Sequence, residues 1–152
     1  MTDPEHKGAP GEEGQRQSRQ VEIQGLPVPE KIKLAMTGDK EARGILIKDP
    51  NKQVQEAVLE NQRLTDHEIV AIVTSRVTSE EILRKVADNR NWVKYYQVRL
   101  GLVSNPKTPL PISLKLLDKL MLADLKRLAK SKGIPNVIAT AATRLSIRKA
   151  QK

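Results

Sequence analysis

The chain is 152 residues long, carries a net charge of +9, and contains no cysteine, no phenylalanine and three aromatic residues, Trp92, Tyr95 and Tyr96. Without thiols, disulfides and thiolate metal sites are excluded. A core has to be assembled from Leu, Ile, Val and Ala, which suits stacked helices better than a large globular interior.

The longest aliphatic run, Ile69 to Val73, falls far short of the ~20 residues that cross a bilayer. The first residues hold no apolar stretch of the kind a signal peptide needs. The expectation is a cytoplasmic protein without membrane contact, and composition leaves the oligomeric state open. Charge is unevenly placed. Residues 1–28 are net acidic and 29–105 nearly balanced, whereas 106–152 carry eleven basic residues against Asp118 and Asp124 alone. A localised basic surface points to an anionic partner; a solvated lysine face on the last helices is the plainer reading.

In chain order, residues 1 to about 24 are rich in Gly, Glu, Gln, Arg and Ser. They offer too little apolar surface to offset chain entropy, so a disordered tail is expected there. Val21, Ile23 and Leu26 are the first hydrophobics of a candidate packing face, and Pro27 and Pro29 suit the first turn of a helix. Ile32, Leu34 and Ala35 then make a short apolar face that ends at Thr37-Gly38-Asp39. Ala42, Ile45 and Leu46 make a second, stopped at Asp49-Pro50-Asn51 because proline disfavours helix in the residue before it. Val54, Ala57 and Val58 make a third, closing at Asn61.

Leu64-Thr65-Asp66-His67-Glu68-Ile69 and Val77-Thr78-Ser79-Glu80-Glu81-Ile82 each pair a threonine with a glutamate three places on. That is the capping-box pattern, in which hydroxyl and carboxylate satisfy each other's backbone N–H groups. Its recurrence predicts helices starting at Thr65 and Thr78. Trp92 to Val103 is the longest apolar segment and predicts one helix closed by Asn105-Pro106. Within it Val98, Gly101, Leu102 and Asn105 echo Val54, Ala57, Val58 and Asn61 at a constant offset of 44. Pro109 and Pro111 open a helix carrying Ile112, Leu114, Leu116 and Leu117. Leu122, Leu125 and Leu128 mark another, and Val137, Ile138, Ala141, Ala142 and Leu145 make the last stripe. No segment alternates with period two, so no sheet is expected. Helices this short are marginal alone and need neighbours to stack on.

Short helices that recur at this spacing suit a repeat architecture; the 44-residue echo falls within the ~40–47 residues of HEAT and armadillo repeats. The chain resembles bacterial α-solenoids of the HEAT-like and leucine-rich-repeat-variant kind. The likeness rests on Asp49-Pro50-Asn51 with Val54, Ala57-Val58 and Asn61, then Leu64-Thr65 and Glu68-Ile69. It recurs loosely at 77–82 and 98–106 and covers roughly 29–145. It implies an all-α, short right-handed α-solenoid over 25–148, behind a disordered tail over 1–24 and ahead of a basic end at 149–152. It also implies a curved surface that binds another macromolecule. Some leucine-rich-repeat variants hold a cysteine-ligated iron–sulfur cluster, and a chain without cysteine cannot carry that feature over.

The residues offer little for catalysis. His6 falls in the acidic tail and His67 inside a capping box, and no His, Asp and Glu cluster shows ligand spacing. No glycine-rich loop follows a strand. Asp66, Glu68, Glu80 and Glu81 are accounted for by helix first turns, where carboxylates meet the positive end of the dipole. No enzyme, metal or cofactor is expected.

Trp92, Tyr95 and Tyr96 stand at helical spacing with Arg90, Lys94 and Arg99 among them. Three readings stay open: filling of the core between helices, a protein contact built on Trp92, Lys94, Tyr95 and Arg99, and a platform for stacking nucleobases. Lys115, Lys119, Lys126, Arg127, Lys130, Arg144 and Arg148, with Lys132 and Lys149, could form a basic stripe. The expectation is a protein–protein adaptor with an unidentified protein partner, and nucleic-acid binding through the basic third is its alternative.

Overall fold

The computed structural model describes residues 8–151. Among them eleven helices and no strand occur, so the all-α expectation holds. The chain divides into two compact units, Met1–Leu64 and Thr65–Lys152, where the sequence suggests one helical domain over 25–148.

The first unit contains α1 (Gly8–Gln24), α2 (Val28–Thr37), α3 (Lys40–Leu46) and α4 (Lys52–Leu59). Helix α1 occupies much of the stretch where disorder is expected, and residues 1–7 lie outside the described residues. Two contacts offset its poor composition. Ile23 is buried among Ala35, Ala42, Leu46, Val54, Ala57 and Val58. The Arg19 guanidinium grips both oxygens of Asp39 at 2.9 and 3.0 Å and lies 3.5 Å from Glu41. Asp39 also caps α3, accepting from the Ala42 N–H. In the interior, Lys31 pairs with Asp49 at 2.7 Å, and the Arg43 guanidinium donates to the Gly38 carbonyl at 2.9 Å. Buried charges are tolerated when they are matched in this way.

The second unit contains α5 (Asp66–Thr74), α6 (Glu80–Asp88), α7 (Arg90–Val93), α8 (Tyr96–Ser104), α9 (Leu110–Leu117), α10 (Leu122–Ala129) and α11 (Asn136–Ala150). Helix α5 packs on α6 and α8, α8 on α9, and α11 on both α9 and α10. Ile69, Ile72, Val73, Leu83, Val98, Leu102, Leu117, Leu125 and Ile138 supply much of its aliphatic core. Gly101 lets α8 approach α5 closely, since a Cβ there would fall 2.6 Å from a Val73 methyl.

One of the two capping-box starts differs from the sequence reading, and one predicted helix is broken. Thr65 forms the expected capping box with Glu68. The second start belongs to Ser79, whose hydroxyl accepts from the Ile82 N–H. Thr78 is buried instead and donates to the Ile72 carbonyl at 2.6 Å. An oxygen one residue later serves as the cap because Thr78 has a closer buried acceptor. The segment from Trp92 to Val103 is also interrupted. Asn89 caps the single turn α7, and Tyr95 is extended at φ −81° and ψ 130° before α8 begins.

Candidate interaction surface

The turn joining α4 to α5 recurs twice in full. In Asn61–Leu64, Ser75–Thr78 and Asn105–Thr108, the first side-chain oxygen accepts the N–H two residues on, at 2.9, 3.4 and 3.0 Å. The first carbonyl accepts the N–H three residues on, at 3.1, 3.3 and 3.1 Å. Ser131 repeats the side-chain bond, to the Gly133 N–H at 3.2 Å. In each turn the two middle residues are exposed, while the outer two are buried or half-buried.

The 44-residue echo has a structural content. Val54, Ala57, Val58 and Asn61 are buried, as are Val98, Gly101, Leu102 and Asn105. The Asn61 amide donates to the carbonyls of Ala35 and Gly38 at 3.0 and 3.1 Å. The Asn105 amide donates to those of Val73 and Ser75 at 2.7 and 3.0 Å. Each asparagine thus holds its own turn with its oxygen and, with its nitrogen, ties down carbonyls left over at the end of an earlier helix.

The break at Lys94–Tyr95 separates the aromatic residues. Trp92 is half-buried on α7, Tyr95 is exposed at the cap, and Tyr96 is half-buried on α8, so the three do not share one helical face. The Tyr96 hydroxyl donates to the Asp124 carboxylate and accepts the Met121 N–H at 3.0 Å, joining α8 to the start of α10. Burial, with the Asp124 carboxylate alongside, raises the Tyr96 phenol above its ordinary range. Arg99 lies over the Tyr96 ring at 5.4 Å and donates to the carbonyls of Val93 and Lys94 at 3.0 and 2.8 Å. It therefore closes the end of α7, and its Nε is buried without a partner among the described residues. Lys94 sits 5.2 Å from the Tyr95 ring centre. A hydrogen bond to Asp66 raises the Tyr95 phenol. Tyr95 and Lys94 remain together at the surface, whereas Tyr96 and Arg99 are structural neighbours.

The basic residues also separate by role. Arg127 pairs with Asp124. Lys149, half-buried, donates to the carbonyls of Asp118 and Leu120 at 2.8 Å each, beyond the end of α9, where a cation suits the helix dipole. Lys115, Lys119, Lys126, Lys130, Lys132, Arg144 and Arg148 are exposed, and among the described residues none has a carboxylate partner.

His67 is exposed in the first turn of α5, and His6 lies outside the described residues. Among the described residues no group of three or more His, Asp or Glu is placed to hold a metal ion, and no helix is long and apolar enough to cross a membrane. An open hollow in the first unit is lined by Arg16, Gln20, Lys40, Glu41 and Ile45. No protein-family model, curated protein or solved structure matches this chain.

The turn is the recurrent structural feature that reading the sequence misses. Its signal was present as Asn or Ser three residues before Leu64, Thr78, Thr108 and Ile134. Helical periodicity draws attention to the stripes and away from the short connections between them.

Proposed function

We propose that this chain is a non-catalytic helical-repeat protein of the cytoplasm, a short right-handed α-solenoid of HEAT-like stacked helices that serves as a protein–protein adaptor. The observation that carries the reading is the recurrent turn. Its buried positions are fixed by backbone hydrogen bonds, and its two middle positions point outward and differ from copy to copy. Repeat scaffolds separate conserved internal geometry from variable outward residues in this manner, and such surfaces recognise macromolecules. Tyr95 and Lys94 belong to the contact surface in this reading, and Trp92 borders it; Arg99 supports it from below.

Nucleic-acid binding is the second reading, favoured by the exposed cations of α9, α10 and α11. Phosphate neutralisation makes affinity fall steeply with salt. Affinity capture from the native cell, with and without nuclease, separates the two. A protein partner retained after nuclease supports the adaptor. A partner lost only on nuclease treatment, together with salt-sensitive binding of labelled DNA or RNA, overturns it in favour of the second reading.

A further inference from the structure

We infer that the edge formed by three turns of the second unit, Ser75–Thr78, Asn105–Thr108 and Ser131–Ile134, docks an acidic peptide segment that also carries aliphatic side chains. The inference rests on the adaptor reading and narrows its partner.

Two contacts bring the turns together. The Asn105 amide donates to the Ser75 carbonyl at 3.0 Å, which sets the second turn beside the first. The Arg76 guanidinium lies 3.3 Å from the position a Cβ on Gly133 would take, which sets the third beside the first. A side chain at Gly133 would crowd that guanidinium. Each turn presents one cation at an exposed middle position: Arg76, Lys107 and Lys132. Among the described residues no carboxylate pairs with any of them.

The helices leaving the second and third turns, α9 and α11, have no acidic residue in their first turns. Glu80 and Glu81 stand in the first turn of α6; Glu80 is engaged by Arg84 at 2.9 Å, and Glu81 is half-buried and also engaged. The edge is therefore a local concentration of uncompensated positive charge, which attracts anionic partners and orients them on approach.

Apolar residues decide which class of polyanion fits. Val77 is 69% exposed and Leu110 39% exposed, the first next to Arg76 and the second at the start of the helix that follows Lys107. A phosphodiester backbone calls for cations and has no use for an exposed valine and leucine close to them in the chain. A peptide bearing carboxylates and aliphatic groups satisfies both. Apolar contact supplies the binding and the charges set its selectivity, because exposed ion pairs contribute little alone.

The test uses the full chain and four fluorescein-labelled probes of equal length: a Glu/Leu peptide, a Gln/Leu peptide, a Glu/Ser peptide and single-stranded DNA. Anisotropy should show tightest binding to Glu/Leu. The double variant Arg76→Glu/Lys132→Glu should weaken that binding about tenfold or more, the scale on which charge reversal at a complementary interface acts. Lys33→Glu/Lys48→Glu, with the same change in net charge in the first unit, should leave it within about twofold. Helical circular dichroism of each variant shows that it is folded, and Arg76→Gln/Lys132→Gln repeats the test should the reversed variant fail to fold.

Equal affinity for Gln/Leu, tighter binding of DNA, no binding of any probe, or indifference to the charge changes would each overturn the inference. Those outcomes leave the adaptor reading standing as long as nuclease-resistant capture succeeds. Loss of capture on nuclease treatment removes the adaptor reading itself.

Discussion

Asn61 and Asn105 each place one buried amide between a turn and the end of an earlier helix. Removing the amide takes the side-chain donor from the Ala35 or Val73 carbonyl, while Gly38 keeps the Arg43 guanidinium and Ser75 keeps the Thr78 N–H; a buried group so stranded costs about 1–3 kcal/mol. Asn105→Ala and Asn61→Ala should each lower stability by that amount in urea unfolding, with similar losses if the two do equivalent work. A loss confined to one of them would end the equivalence. The offset between these residues is legible in the sequence. Their role is not, because the carbonyls they bind lie 26 and 32 residues away and carry no side-chain signature. Glycines make the same point from the opposite side. Gly44 lies within α3 with nothing inside 4 Å of a prospective Cβ, so Gly44→Ala should stabilise by about 0.5–1 kcal/mol through helix propensity. Gly101→Ala gains the same propensity but drives a methyl to 2.6 Å from Val73, and overpacking costs about 1–3 kcal/mol. The second effect wins, so Gly101→Ala should destabilise. Paired thermal melts of the two variants, moving in opposite directions, would bear this out.

At the scale of elements, the aliphatic stripes of α2 to α6 and α8 to α11 are legible in the sequence because burial imposes a helical period on residue type. Helix α1 is not, since its composition is that of a disordered segment and its anchorage depends on partners elsewhere in the chain. The Arg19 guanidinium, helped by the Ala42 N–H, holds the Asp39 carboxyl below its ordinary value of 3.8. A depressed carboxyl contributes stability that is fully present above its unfolded pKa and is lost as pH falls through the lower folded value. The tether on α1 should therefore be constant near neutrality and weaken only in acid, below about pH 4. Both side chains are substantially exposed, so the effect is modest and should appear as local fraying rather than global unfolding. Amide exchange across 11–24 should speed up in Arg19→Gln at neutral pH, relative to the parent chain, and the difference should shrink in acid. An unchanged exchange pattern in Arg19→Gln would assign α1's anchorage to Ile23 alone. The break before Tyr95 is hidden in the sequence for a related reason. Trp92 to Val103 has the composition of one helix, and the carbonyls that Arg99 takes from Val93 and Lys94 are a tertiary choice.

For the whole molecule, charge distribution is the property most fully visible in the sequence and most consequential for behaviour in solution. Eleven of the chain's basic residues and only two of its acidic ones lie in 106–152; six of those basic residues stand on α9, α10 and α11, where α11 packs on both α9 and α10. One of those carboxylates, Asp124, is already engaged by Arg127 and Tyr96. The remaining cations repel one another across distances at which salt screens well, since the Debye length falls from about 30 Å at 0.01 M to about 10 Å at 0.1 M. Exposed attractive pairs such as Arg19–Asp39 and Arg84–Glu80 are screened too, but each is individually weak. Repulsion therefore dominates the response, and added sodium chloride should raise the melting temperature, with the largest gain in exchange protection along α9, α10 and α11. Lys126→Glu, which places an anion among these cations, should reproduce part of that gain at low salt and reduce its further growth. A melting temperature that falls with salt would mean that attractive pairing outweighs the concentrated positive charge. The cations of the last three helices would then be a solvated face without strain to relieve.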